Sequence, residues 1–375
     1  MYKKSFTTFY RLFFVIVCVY LFLVSIGLMS VAFKGFGKEF AENLIKATSN
    51  PFIGLFIGLL ATSMVQSSST TTSIVVGMVG AKVITISNAI PIIMGANIGT
   101  TVTAVLVSLC HVTRREEFKR AITGATVHDF FNILCVAVLF PLQLATGFLD
   151  KLATKMSLLF VDIGGIKFTS PVKAATEPIV EAIKNFFMSF HISKNVTYIA
   201  ILAASMLILF LCLYFIVRLM KSLIIGRVEI VFNNVLGKHG GIAILASVIF
   251  TAIIQSSSIT TSLMVPLVAS GVLTVESIFP IVLGANIGTT ITAILASFAT
   301  GNMAAITVAF AHFLFNFIGV LCFYPIPMFR KIPISLAKGL GALTLKKRRY
   351  AFIYVSFVFF LLPAILIFIS KMLFK

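Results

Sequence analysis

The sequence predicts an all-α polytopic membrane protein built from two inverted-topology repeats, each with a re-entrant helical hairpin and a broken helix. Three observations predict it: an apolar composition, seven apolar runs of spanning length, and an internal duplication of a polar motif. The chain has 375 residues, 59% hydrophobic and only 11% charged, with a mean hydropathy of +1.09. A soluble domain carries roughly a quarter charged residues, so a water-surrounded fold is excluded.

Crossing a hydrocarbon core of about 30 Å takes roughly 20 helical residues. Runs of that length lie near 12–33, 84–110, 121–142, 196–217, 272–299, 305–326 and 351–370. Lys3, Lys4 and Arg11 ahead of the first run also fit a cleavable signal peptide, but a stretch over 20 residues favours a retained helix. Two further apolar segments, 51–81 and 240–271, carry polar clusters at their centres: "QSSSTTTSI" from Gln66 and "QSSSITTSL" from Gln255. The five cysteines fall in or at the ends of apolar stretches and show no disulfide framework or metal spacing.

A net charge of +19 raises nucleic acid as a partner, but membrane proteins gather Lys and Arg in cytoplasmic loops. With the N-terminus inside and the two motif segments returning to the side they came from, 18 of the 30 basic residues fall inside. The uncharged "TGNMAA" at 300–305 becomes an outside turn. The charge therefore reads as topology, with the lipid bilayer as partner and no nucleic acid.

Sliding the chain by 189 positions lays Gln66 onto Gln255, and 95–103 onto 284–292 with one Val-to-Ile change. "HDFFN" from His128 then matches "HFLFN" from His312. This is an internal duplication. Three crossings separate the two motifs, and an odd number inverts the second repeat, the architecture in which transporters hold substrate at the midplane. Were each motif segment a single crossing, the repeats would be parallel. The expected organisation is a transmembrane helix and connector (1–50), repeat 1 (51–142), an extracytoplasmic loop (143–195), a helix and basic cytoplasmic loop (196–239), repeat 2 (240–326), and a basic segment with a C-terminal helix (327–375).

Backbone that unwinds at membrane depth survives only where it is buried in protein or lines a cavity. The QSSS runs suit such a break, because serines cap helix N-termini and compete with helix hydrogen bonds. Two N-termini approaching from opposite sides present free N–H groups and partial positive charge to an anion. "GANIGTT" adds glycines for close approach and neutral oxygens that can replace the water shell of an alkali cation. Asn97, Thr100, Thr101, Asn286, Thr289 and Thr290 supply such oxygens, with Thr71, Thr72, Thr260 and Thr261 beside the hairpin breaks. Asp129 is the carboxylate clearly inside a predicted crossing, and no Lys or Arg sits at a predicted midplane. An anion held without fixed cations needs a co-bound cation, and Na⁺ fits a cage of hydroxyls and amides.

The duplicated QSSS, "PIIMGANIGTTVT" and "FKRAITGATVHDFFN" closely resemble the type II sodium/phosphate cotransporter family, its short bacterial members in particular. The resemblance covers roughly 50–142 and 240–326. It implies sodium-coupled symport of inorganic phosphate across a bacterial inner membrane by alternating access, with Na⁺ as the co-transported ion and no organic cofactor. By the same resemblance Gln66, Ser67, Ser68, Ser69, Gln255, Ser256, Ser257 and Ser258 form the phosphate site. Three departures stand out. The 143–195 segment is shorter than in vertebrate members and has no Cys, Arg114 aligns with an aspartate of electrogenic members, and no regulatory domain is expected after the last helix.

Two other readings stay open: a sodium-coupled carrier of another small anion, and a passive anion channel. Packing polarity is the bland reading of the serines, since Ser and Thr bind membrane helices together. His128 and His312, each four residues before an Asn, read as interhelical hydrogen-bonding residues. A serine hydrolase is disfavoured, because no G-x-S-x-G elbow is present. Oligomeric state is not legible.

Overall fold

A computed structural model describes residues 2–159, 170–190, 192–236 and 240–373. Among the described residues every regular element is helical. α1 (Tyr2–Gly35) is the first span, and α2 (Lys38–Ala47) is a short amphipathic helix bent 95° from α3 (Pro51–Val65). Asn50 caps α3 by accepting the N–H groups of Phe52 and Ile53, and Pro51 starts it with a preset φ. α4 (Ser68–Gly80) completes the first hairpin.

α5 (Ile86–Gly99) and α6 (Val102–Leu109) make one span, and α7 (Arg115–Thr146) crosses back. The segment expected to be a loop, 143–195, contains α8 (Phe148–Leu159) and α9 (Pro171–Met188). Ser170 starts α9 by accepting from Lys173 N, and its own hydroxyl donates to Phe298 O at 2.6 Å. α10 (Lys194–Leu236) outruns the expected 196–217 crossing, so the start of the expected basic loop is helical. Lys3, Lys4, Arg227, Glu229 and Lys238, which entered the charge count, lie outside the described side chains.

The second half repeats the order: α11 (Gly240–Ile254), α12 (Ser257–Ala269), α13 (Val275–Thr300) and α14 (Met303–Phe323). α15 (Pro327–Lys346), α16 (Arg349–Ser356) and, after a π-helical turn at Phe357–Leu361, α17 (Leu362–Leu373) end the described chain. All seven expected crossings are present as helices long and apolar enough to span.

The broken helix is only half observed. α5 and α6 are interrupted at Thr100–Thr101, where Thr101 N bonds Ile98 O in a tightened turn, but α13 runs unbroken through the matching Thr289 and Thr290. The glycines of the motif behave alike in both repeats. They do not unwind the backbone; they let two helices touch. A Cβ on Gly95 would stand 1.8 Å from Leu55 O of α3, and one on Gly284 would stand 2.3 Å from Ile244 O of α11. Gly99 and Gly288 face Leu59 O and Val248 O, both at 2.6 Å. Each hairpin is thus seated by its first half-helix on the motif span of its own repeat.

The two hairpins leave the bundle at opposite ends. Asn302 Nδ2 donates to Gly80 O (3.0 Å), joining the exit of α4 to the α13–α14 turn. At the far end of the α5–α6 span, Arg120 Nε donates to Ala269 O (2.8 Å), joining the exit of α12 to the start of α7. Between them lies one continuous core of Phe, Ile, Val and Leu from both halves, including Phe131, Phe279 and Phe315.

Candidate functional site

Each hairpin turns through two residues. Gln66 ends α3 in the left-handed region (φ 57°) with its N–H on Thr62 O at 2.7 Å, and Gln255 ends α11 the same way (φ 62°) with its N–H on Thr251 O at 2.7 Å. Left-handed backbone is unusual for a residue with a Cβ, and such strain gathers at functional sites. Ser67 and Ser256 follow in extended conformation as N-caps, their hydroxyls accepting from Thr70 N and Ile259 N. Only the N3 amide is capped, so the first amides of α4 and α12 stay free at the two tips.

The tips meet. Ser69 Oγ donates to Gln255 O at 3.1 Å and lies 3.4 Å from Thr289 Oγ1. Around this contact is a cavity of about 320 Å³, lined by Gln66, Ser67, Ser69, Gln255, Ser256 and Ser258 among others. Six of the eight expected phosphate-site residues are brought together. Ser68 and Ser257 are not: both are buried on the side of the half-helix away from the cavity, and their carbonyls accept the hydroxyls of Thr72 and Thr261.

None of the expected sodium-site residues is among those lining this cavity. Thr71, Thr72, Thr100, Thr101, Thr261 and Thr290 all give their hydroxyls to carbonyls of their own helix or its cap, and Thr260 shares a bond with Thr251 Oγ1 at 2.9 Å. Thr289 comes nearest, through Ser69. Asn97 and Asn286 lie in a buried layer with His128 and Asn132. Asp129, also buried, accepts from Tyr354 Oη at 3.1 Å. Arg114, expected to stand where electrogenic members have an aspartate, is exposed and pairs with Glu117 at 2.8 Å.

Sequence reasoning missed Thr70 and Thr103, both cavity-lining. Thr103 was legible as the partner of Thr292 in the repeat. The twins behave differently: Thr292 Oγ1 donates to Gln255 Oε1 at 2.7 Å, whereas Thr103 Oγ1 is buried without a partner. It also missed the apolar wall of Phe210, Leu213, Tyr214 and Val217 from α10, which no motif marks. No charged side chain lines the cavity among the described residues.

Seven helices long and apolar enough to span, with two hairpin tips meeting at one cavity among them, define a polytopic helical membrane protein. The chain belongs to the Na⁺/Pi-cotransporter family: the family model matches residues 21–169 and 208–321. Among curated relatives, sodium-dependent phosphate transport protein 2B of Homo sapiens is 36% identical over 435 residues, covering 92% of this chain and 63% of that protein. The 2A protein of Rattus norvegicus is 35% identical over 423 residues, covering 94% of this chain and 66% of the relative. The chain thus spans slightly less than two thirds of the length of these relatives. No solved structure matches it.

Proposed function

We propose that the chain is a secondary active transporter, not an enzyme, coupling inward Na⁺ flow to uptake of inorganic phosphate by alternating access. The observation that carries this reading is the meeting of both QSSS tips in one cavity with no charged lining. An anion there is met by the positive ends of α4 and α12 and by hydroxyl donors, and a co-bound cation cancels the rest of its charge. Burying either ion alone leaves an uncompensated charge in a low-dielectric setting, which costs several kcal/mol. Loaded with both, or with neither, the halves can rock; half-loaded, they are held back. That asymmetry is the coupling.

Hairpins leaving by opposite ends support the inverted sense of the repeats. The family and its sodium-dependent phosphate transport relatives support the identity of the two ions. We assign the sodium sites to oxygens next to the tips, Thr289 first, and place the chain in a bacterial inner membrane with its N-terminus cytoplasmic. The experiment is uptake of radiolabelled phosphate into proteoliposomes under an inward Na⁺ gradient or an equal K⁺ gradient. Concentrative uptake with Na⁺ alone is expected. Equal uptake with both salts, never exceeding equilibrium, would leave a passive channel, and stronger competition by another oxyanion or a small carboxylate would replace the substrate.

A further inference from the structure

The duplication gives every polar contact a mirror position. Across α7, α13 and α5 three bonds form a chain: His128 Nε2 donates to Asn286 Oδ1 (2.6 Å), Asn286 Nδ2 to Asn132 Oδ1 (2.6 Å), and Asn132 Nδ2 to Asn97 O (2.8 Å). The mirror residues are His312, Asn97, Asn316 and Asn286. α14 packs on α5 as α7 packs on α13, so the same parts are in the same order.

None of the three mirrored bonds is made. Asn97 Nδ2 turns back to Ile93 O (2.9 Å), and Asn316 Nδ2 turns back to His312 O (3.0 Å). Both ring nitrogens of His312 and Asn316 Oδ1 are left without a partner, although His312 and Asn316 are each 1% exposed. The formed set leaves one orphan, His128 Nδ1. Buried polar atoms without partners are rare, and each costs roughly 1–3 kcal/mol. One set with all three bonds made and its twin with none of them made is what two rocking repeats show when caught at one end of their motion.

We infer that His312, Asn316 and Asn97 are positioning residues of the transport cycle, forming the mirrored three-bond set when the cavity faces the other end while the His128 set opens. The inference rests on the alternating-access reading. In the present state the cavity is walled by Phe210, Tyr214 and Val217, in the half of α10 toward Arg218. The exchange conserves the number of bonds, so neither facing state is favoured by this layer. Motion is then left to the bound ions to bias.

The test is a cysteine reporter, Tyr214→Cys, in the reconstituted chain with its five natural cysteines replaced. A membrane-impermeant maleimide is applied from each side, and the ratio of labelling from the two sides is read. His312→Leu and Asn97→Leu should hold the present state, shifting the ratio from its wild-type value in one common direction by about threefold or more, the effect of one interhelical bond. His128→Leu should shift it the opposite way by a similar factor. The two leucine variants of the open set sit on different helices, so loss of folding in one leaves the other to decide. Shifts in the same direction for His128→Leu and His312→Leu, or no shift in either open-set variant, would overturn the exchange. Wild-type uptake measured alongside separates the two readings. Without Na⁺-driven uptake the transport reading fails, whereas uptake with an unmoved ratio removes only the exchange.

Discussion

Replacing Thr103 and Thr292 by valine, one at a time, makes the same chemical change at twin positions with opposite consequences for stability. Thr292 Oγ1 donates to Gln255 Oε1 at 2.7 Å, and this bond fixes the side chain of the residue that turns the second hairpin. Deleting it removes a neutral hydrogen bond worth about 0.5–1.5 kcal/mol, so Thr292→Val should lower the melting temperature in detergent. Thr103 Oγ1 is buried with no partner, so valine there removes a desolvation cost of about 1–3 kcal/mol. Thr103→Val should therefore leave the melting temperature unchanged or raise it.

Transport separates the two positions again. Thr103 lines the cavity, and in the proposed function its buried, unpaired hydroxyl would turn to donate to the oxyanion; a hydrogen bond to a charged group contributes about 1.5–3 kcal/mol. Thr103→Val should raise the phosphate concentration for half-maximal uptake by about tenfold or more while the protein stays at least as stable. The assays are size-exclusion profiles after a heating series and initial uptake rates in proteoliposomes. A Thr103→Val protein that melts lower, or that takes up phosphate with unchanged half-saturation, would refute the reasoning.

Gly95→Ala should prevent hairpin 1 from seating, because its Cβ would stand 1.8 Å from Leu55 O and overpacking of that kind costs about 3 kcal/mol or more. Gly339→Ala, with nothing within 4 Å, should be neutral or gain up to about 1 kcal/mol from helix propensity, and heating profiles of the two would show it. Ser69→Ala should cut phosphate uptake strongly, since it removes both a cavity hydroxyl and the 3.1 Å bond joining the tips. Ser68→Ala, on the buried side of the same half-helix, should reduce uptake much less, and equal losses in the two variants would argue against this arrangement of the tip.

The proposed relation between the hairpins and two coupled ions rests on the uncharged lining of the cavity. Among the described residues no Lys or Arg lines the cavity, so in the proposed function an oxyanion's charge would be met by helix ends and by a second ion that enters and leaves with it. A fixed cation would bind phosphate in the absence of Na⁺ and weaken the link between the two fluxes. On that reading, neutral hydroxyls would make phosphate binding conditional on the second ion.

The sequence by itself determined the spans, the duplication and the turns. Crossing a membrane demands about 20 apolar residues, a requirement written locally, and all seven spans stand where hydropathy put them. The QSSS breaks were equally local, because a serine N-cap acts within three residues of itself, and both hairpins turn at Gln–Ser. What only the tertiary structure decided is which hydroxyl faces what. Ser68 and Ser69 are neighbours in sequence, yet a helix rotates successive side chains by about 100°, so one enters the cavity and the other the core. The motif glycines read as positions of close approach, and the packed structure names what approaches: the carbonyls of Leu55 and Ile244, some 40 residues away along the chain. Likewise, identical residues at His128 and His312 find partners in one repeat and none in the other. Twin sequences encode the same local structure; the position of each half relative to its neighbour, a property of the packed whole, breaks their equivalence.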